Sequence, residues 1–183
     1  MRWERLFDDL EAQLEAEAVL ELDAEVADRT RRERASLTLV DRLVGARGGA
    51  SVHVRVAGVG MVSAGVLDVG ADWVLLSHDS GREAIVPLAA IRAVTGLRGR
   101  AIVPGAVARG FGLGLALRVL SRDRAVVDVV DLDGQRLVGT IDAIGADTLD
   151  LAEHAPDLPR RAENVVAVRT VPLAALALVG RRA

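Results

Sequence analysis

VGADWVLL at residues 69–76, followed by VPLAAI at residues 86–91, returns near the C-terminus as IGADTLDL at 144–151 and VPLAAL at 171–176. Each copy joins a Gly-Ala-Asp turn to a short, largely apolar segment and later closes with a segment around one proline. A chain of 183 residues has room for two very small domains plus an extension. The recurrence therefore predicts an internal duplication.

From about residue 48 to residue 98, the hydrophobic pattern is that of β-strands. SVHVRV and SAGVLDV alternate apolar and polar residues, WVLL is a short apolar run, and EAIVPL leads into AAIRAV. A period of two places every second side chain on one face of a strand. Five short strands separated by glycine and polar turns predict a small, strongly bent antiparallel barrel.

The second copy begins near Arg124 and repeats this plan. Its first hairpin aligns with that of the first copy through two glycine pairs, Gly60 with Gly134 and Gly65 with Gly139. In this alignment one extra residue precedes the second Gly-Ala-Asp turn, and ten further residues are inserted before the closing segment. Insertions between strands are the ones that a duplicated barrel tolerates.

The hairpins GMVSAGVLDVGADWVLL and GQRLVGTIDAIGADTLDL resemble the first sequence motif of the Sm-like family, in which glycine allows a sharply bent hairpin. IVPLAAIRAV and TVPLAALALV look like the closing strands of that family. The resemblance covers about residues 49–98 and 118–179. It implies two tandem five-stranded Sm-like barrels and leaves the N-terminal segment outside. The fold class predicted for the whole chain is mainly β with a long N-terminal α-helix. The closing segment is also compatible with PRC-barrel and SH3-like types.

Sm-like proteins typically form rings by pairing the edge strands of neighbouring barrels, and many bind single-stranded RNA inside the ring. The resemblance implies self-association here, since open edges must be covered. The RNA contacts do not carry over. Where the family usually has Asp and, four residues later, Asn, this chain has Gly70 and Val74 in one copy and Gly145 and Leu149 in the other. Neither closing segment carries the Arg-Gly or Lys-His pair of the family's RNA pocket.

The N-terminal segment has the period of a helix. Without Pro or Gly before Gly45, it is expected to run from Trp3 to Val44. Apolar residues three or four apart form one stripe, whose candidates for self-association are Trp3, Phe7, Leu10, Leu14 and Leu22.

The charge of this helix is divided between its ends. Residues 1–28 carry a net charge of −8 and residues 29–47 one of +4. Antiparallel pairing of two copies would bring opposite charges together, and folding back on the same chain is the open alternative.

These patterns predict four segments. We expect an amphipathic helix over 1–47, a first Sm-like barrel over 48–98, a Gly/Arg-rich linker with a short helix over 99–117, and a second barrel over 118–183. The short helix is expected at Leu113 to Leu120, with the sequence GFGLG at residues 110–114 as its entry. The spacing of these glycines does not fit a phosphate-binding turn.

Composition limits the compartment and the partners. Cysteine is absent, and the N-terminus does not have the pattern of a secretory signal. The most apolar window, residues 101–120, contains Arg109, Pro104 and four glycines, which a bilayer helix would not accommodate. We therefore expect a cytoplasmic protein with no membrane partner.

Candidate chemical groups are few. Asp72 and Asp147 follow Gly-Ala in both copies, and turn carboxylates that accept backbone hydrogen bonds are the main interpretation. Trp73, expected to be exposed after the turn, is a candidate for stacking on a base or anchoring a partner, although a core or barrel-interface position is the stronger expectation. The three histidines share no ligand spacing with acidic residues. We predict no metal, no cofactor and no enzymatic activity.

Two functions remain open. The first is a non-catalytic assembly module that forms homo-oligomers through barrel edges, the helix or both, and binds a protein partner. The second is a single-stranded RNA-binding regulator. Residues 84–122 contain no acid, and the arginines of this second hypothesis are Arg82, Arg92, Arg98 and Arg100. A net charge of −3 does not favour a dedicated nucleic-acid surface.

Overall fold

The computed structural model describes residues 21–78, 81–105 and 110–182. The chain divides into two compact units, Met1–Thr38 and Leu39–Ala183. The described part is mainly β and contains three α-helices and ten strands. None of these helices is long and apolar enough to cross a membrane.

Helix α1 occupies residues 21–36, α2 Leu39–Gly45 and α3 Leu113–Arg122. The strands of the first half are β1 Val52–Val56, β2 Gly60–Val69, β3 Trp73–His78, β4 Glu83–Pro87 and β5 Ile91–Thr95. Those of the second half are β6 Val126–Asp131, β7 Arg136–Ile144, β8 Thr148–Glu153, β9 Ala167–Pro172 and β10 Leu176–Arg181.

The N-terminal helix is interrupted where the sequence predicts one continuous element. α1 ends at residue 36, and α2 begins three residues later and ends at Gly45, one residue beyond the predicted end at Val44. The hydroxyl of Ser36 donates to the carbonyl of Glu33 over 2.7 Å. Such local bonds compete with the helical backbone pattern and explain the break. The predicted helix before residue 21 lies outside the described residues.

All ten strands form one continuous antiparallel sheet in the order β5-β1-β2-β3-β4-β10-β6-β7-β8-β9. Within each half the order is the same: fifth strand, then first, second, third and fourth. The halves meet where β4 pairs with β10. The sequence predicts two separate barrels, whereas the structure joins the two halves in a single sheet whose edges are β5 and β9.

The pairing registers repeat with a constant offset. In the first three strands of each half, equivalent residues are 75 positions apart, so Ala64 opposite His78 corresponds to Gly139 opposite Glu153. The β2 bulge after Val66 recurs in β7 after Ile141. In the last two strands the offset is 85, which accounts for the ten inserted residues.

This offset corrects the alignment of the first hairpin. Gly139 corresponds to Ala64 and not to Gly65, so the glycine pairing was wrong by one residue and no extra residue is present. The two glycines lie close to different neighbouring atoms, a side chain at Gly65 and the backbone at Gly139. A Cβ on Gly65 would lie 3.1 Å from Oγ of Ser77, whereas a Cβ on Gly139 would lie 2.0 Å from the carbonyl oxygen of Ala152.

Two apolar clusters form the core of the Leu39–Ala183 unit. The first gathers β1–β5 side chains and α2, whose Leu43 is fully buried. The second gathers β6–β10 and α3, whose Leu117 is fully buried. The helix predicted at Leu113 to Leu120 is confirmed and extends two residues further, to Arg122.

Candidate interaction surfaces

The junction of β4 and β10 is the main contact between the two halves. Ile85 lies opposite Val179, and Ala84 lies opposite Gly180. Side chains cross this junction in both directions, because Ile85 packs in the second cluster and Ala177 in the first. The junction therefore combines backbone pairing with an exchange of buried apolar side chains.

The free strands β5 and β9 are the counterparts of β10 and β4. The position of Ala177 is occupied in β5 by Arg92, and that of Ile85 is occupied in β9 by Thr170; both replacements are exposed. Charged and polar side chains at sheet edges reduce uncontrolled pairing. The edges keep the strand geometry of the junction but have a more polar surface.

An apolar cleft of about 730 Å³ lies between α3 and one face of the junction. Leu75, Ile85 and Val179 contribute from the sheet, and Leu115 and Val119 from the helix. Val119 is 58% exposed and Leu115 39%. Exposed apolar surface of this kind is typical of contacts with other proteins.

The start of α3 is held by the first Gly-Ala-Asp turn. Gly112 has no side chain with which to cap the helix, and Oδ1 of Asp72 instead accepts a hydrogen bond from the backbone N–H of Leu113 over 2.7 Å. The indole Nε1 of Trp73 donates to the carbonyl of Phe111 over 2.9 Å. The two side chains thus connect the first half of the sheet to the helix of the second.

Trp73 is only 8% exposed, so the prediction of an exposed indole is wrong. The ring packs in the second cluster because its N–H finds a buried backbone acceptor at the helix entry. The core or interface position, the stronger of the two expectations, agrees with this environment. A role for Trp73 as a stacking platform would need the indole to leave the core.

The second turn repeats the backbone arrangement but not the capping contact. The carbonyl of Asp147 accepts from the N–H of Leu173 over 2.7 Å, as that of Asp72 does from Leu88 over 2.8 Å. The Asp147 side chain is exposed. The expected backbone hydrogen bond to a turn carboxylate is observed for Asp72, whereas at Asp147 the backbone carbonyl accepts.

The predicted arginines remain at the surface. The side chains of Arg82, Arg92, Arg98 and Arg100 are all exposed, and Nη1 of Arg92 donates to the carbonyl of Ala89 over 3.0 Å. Of the predicted self-association stripe, Leu22 is 61% exposed on α1. The other four members, Trp3, Phe7, Leu10 and Leu14, lie outside the described residues.

The side chains of His154 and His53 make hydrogen bonds within the fold. His154 is buried, with Nε2 2.9 Å from the hydroxyl of Thr140 and Nδ1 2.8 Å from the carbonyl of Ala155. Nδ1 of His53 lies 2.6 Å from Oγ of Ser63. Within the described ranges, no cluster of three acidic or histidine side chains could hold a metal ion.

Sequence reasoning missed the outer face of α3. Leu115 and Val119 are one helical turn apart on α3, and Phe111 lies two residues before the helix begins at Leu113. Each of them lines the apolar cleft. This spacing was visible in the sequence, whereas the junction that forms the cleft's other wall depends on a strand pairing between distant segments.

No protein-family model matches the chain, and a search among curated proteins finds none with significant similarity.

Proposed function

We propose that the chain is a non-catalytic assembly module of the cytoplasm, built of two tandem Sm-like barrels over residues 48–98 and 118–183 whose strands join in one sheet. Copies associate through strands β5 and β9, with a further contribution from the N-terminal helix, and the assembly binds a protein partner. The apolar cleft with Leu115 and Val119 is the surface proposed for that partner.

One observation carries the proposal: the chain already contains an example of the contact it would make with its neighbours. β4 pairs with β10 inside the chain, and the two strands left free, β9 and β5, are their counterparts. Antiparallel pairing of β9 with β5 of a second copy would repeat the junction and leave the same two edges free at the ends. Such a head-to-tail contact produces rings when its rotation closes.

The junction also supplies a register for this contact. Applying the offset of 85 to Ile85 and Val179 places Thr170 of one copy opposite Val94 of the next. The same operation places Arg169 opposite Thr95. The two edge arginines, Arg92 and Arg169, do not face each other in this register, so no like-charge pair opposes association.

Cysteine cross-linking tests the register, because the chain has no cysteine of its own. A variant carrying both Val94→Cys and Thr170→Cys is expected to form covalent dimers and longer species under mild oxidation, since directly opposed residues approach closely enough for a disulfide. The control, Val94→Cys with Arg169→Cys, shifts one cysteine to the opposite face of its strand and should not cross-link. Equal cross-linking by both variants, or by neither, contradicts the proposed contact.

Single-stranded RNA binding is the second candidate, supported by the exposure of Arg82, Arg92, Arg98 and Arg100. Retention on an oligoribonucleotide column should then fall steeply with salt, because each phosphate contact releases counterions. Changing Arg92, Arg98 and Arg100 to Gln should abolish retention, and Arg55→Gln should not. Failure to bind at low salt would exclude this function.

A further inference from the structure

A second cavity lies at the junction, on the face opposite the apolar cleft. Its volume is about 470 Å³. Leu76 and Leu178 line this cavity, whereas their neighbours Leu75 and Val179 line the cleft. Successive side chains of a strand point to opposite faces of the sheet. The cavity and the cleft therefore lie on opposite faces of the sheet at the junction.

The walls of this cavity combine apolar and cationic groups from both halves. Val62 and Leu76 come from the first half, and Val130 and Leu178 from the second. Arg82 precedes β4, and Arg136 begins β7. These arginines are 54 positions apart in sequence, and the junction brings them to one cavity.

Some of the charged side chains that line the cavity have an ion-pair partner among the residues that the structure describes, and others do not. Arg181 pairs with Asp123 at 3.4 Å, and Asp128 pairs with Arg182 at 2.8 Å. Arg82 and Arg136 are exposed and make no ion pair within the described part of the chain. The two arginines therefore face the cavity's remaining acid, Glu83, with an excess of positive charge.

One buried acceptor also lacks a donor. Oδ1 of Asp128 is buried and has no hydrogen-bond partner among the described residues, while Oδ2 accepts from Nε of Arg182. Buried carboxylate oxygens are normally satisfied by a protein, water or ligand donor. Asp128 lines the cavity, but this oxygen is shielded from solvent, so a ligand in the cavity would not contact it without a rearrangement of the wall.

We infer that this cavity binds a small organic phosphate that carries a ring system, of the class of the nucleoside monophosphates. The volume falls within the range of small-molecule sites, and guanidinium groups bind phosphate through paired hydrogen bonds. The aliphatic walls would cover the ring system. This site does not depend on association between copies.

Calorimetric titration of the full-length protein with adenosine 5′-monophosphate tests the inference. We expect saturable binding that weakens with added salt. Adenosine and inorganic phosphate each lack one part of the ligand, so each should bind at least about tenfold more weakly than the monophosphate. Arg82→Gln and Arg136→Gln should each weaken binding about tenfold. The control Arg55→Gln removes an exposed arginine of β1 outside the cavity and should have no effect.

Three outcomes would overturn the inference: no saturation with the monophosphate, equal binding of adenosine, or unchanged affinity in both arginine variants. Both arginines are exposed, so the single variants are expected to fold, and circular dichroism checks this directly. If one variant fails to fold, the affinity of the other still shows whether the monophosphate binds in this cavity or at another site. Loss of cross-linking with intact monophosphate binding would reject the assembly proposal and leave this site standing.

Discussion

Gly70 and Gly145 occupy equivalent turns but have different neighbours. A Cβ on Gly70 would lie 2.2 Å from Nε1 of Trp73 and 2.5 Å from the carbonyl oxygen of Phe111, a fixed backbone atom. A Cβ on Gly145 would have as its nearest neighbour the Thr148 hydroxyl, at 2.6 Å. That hydroxyl can rotate away, whereas the helix entry at Phe111 cannot move without losing its bonds to Ala71 and Trp73.

We therefore expect Gly70→Ala to lower the free energy of unfolding by about 1–3 kcal/mol, as forced repacking does. Gly145→Ala is the matched control and should cost clearly less. Urea denaturation followed by circular dichroism measures both values. Equal losses in the two variants would mean that the contact with α3 does not explain the requirement for glycine at position 70.

The buried pair of His154 and Thr140 leads to a second residue-level prediction. A carbonyl can only accept, so Nδ1 of His154 carries the proton donated to Ala155, and in this tautomer Nε2 accepts from the hydroxyl of Thr140. Thr140→Val keeps the shape and removes this donor. The free energy of unfolding should fall by about 1–3 kcal/mol, because a buried acceptor is left unsatisfied.

Thr95→Val, at an exposed position of β5, is the control and should change stability by less than about 0.5 kcal/mol. Both variants are measured by urea denaturation at pH 8. If Thr140→Val is as harmless as the control, the hydrogen bond does not contribute to folding.

At the scale of single residues, sequence predicted backbone roles better than side-chain environments. The Gly-Ala-Asp repeat identified both turns, which share their backbone hydrogen bonds. It could not identify the hydrogen-bond partner of Trp73, because the acceptor of its N–H is 38 residues away on a segment with no counterpart in the repeat.

At the scale of elements, the repeat predicted the strands, but their joining depended on side chains that differ between the copies. Ile85 and Ala177 are buried at the junction, whereas their counterparts Thr170 and Arg92 are exposed. A one-residue error in the hairpin alignment was equally hard to avoid, since neighbouring rather than equivalent positions carry the glycines.

Those replacements predict how the edges can be altered. Arg92→Ala with Thr170→Ile gives the free edges the residue types of the junction, so association between copies should strengthen by about tenfold, the effect of burying one to two additional methylene groups. Multi-angle light scattering over a dilution series measures the change. Arg55→Ala removes the same charge from the interior strand β1 and should leave the mass unchanged.

If the double variant behaves like the parent protein, the edges do not meet as proposed. If Arg55→Ala raises the mass as much, the effect is one of net charge and not of the strand surface.

At the scale of the whole molecule, the division of the chain separates two possible routes of association. Leu22 and Val26 are exposed on α1, in the unit Met1–Thr38, and are spaced by four residues like a helical contact stripe. The free strands belong to the other unit, Leu39–Ala183. Removing the first unit therefore tests association through the N-terminal helix and leaves strands β5 and β9 in place.

A chain that begins at Leu39 should keep the stability of the full-length protein, because α2 and its fully buried Leu43 are retained. A chain that begins at Gly48 loses this side chain from the first cluster and should be less stable by about 2–5 kcal/mol, the cost of emptying a buried leucine site. Light scattering on the chain beginning at Leu39 then separates the routes. An unchanged mass assigns association to β5 and β9, a lower mass assigns a share to the helix, and monomers in every form would contradict assembly by either.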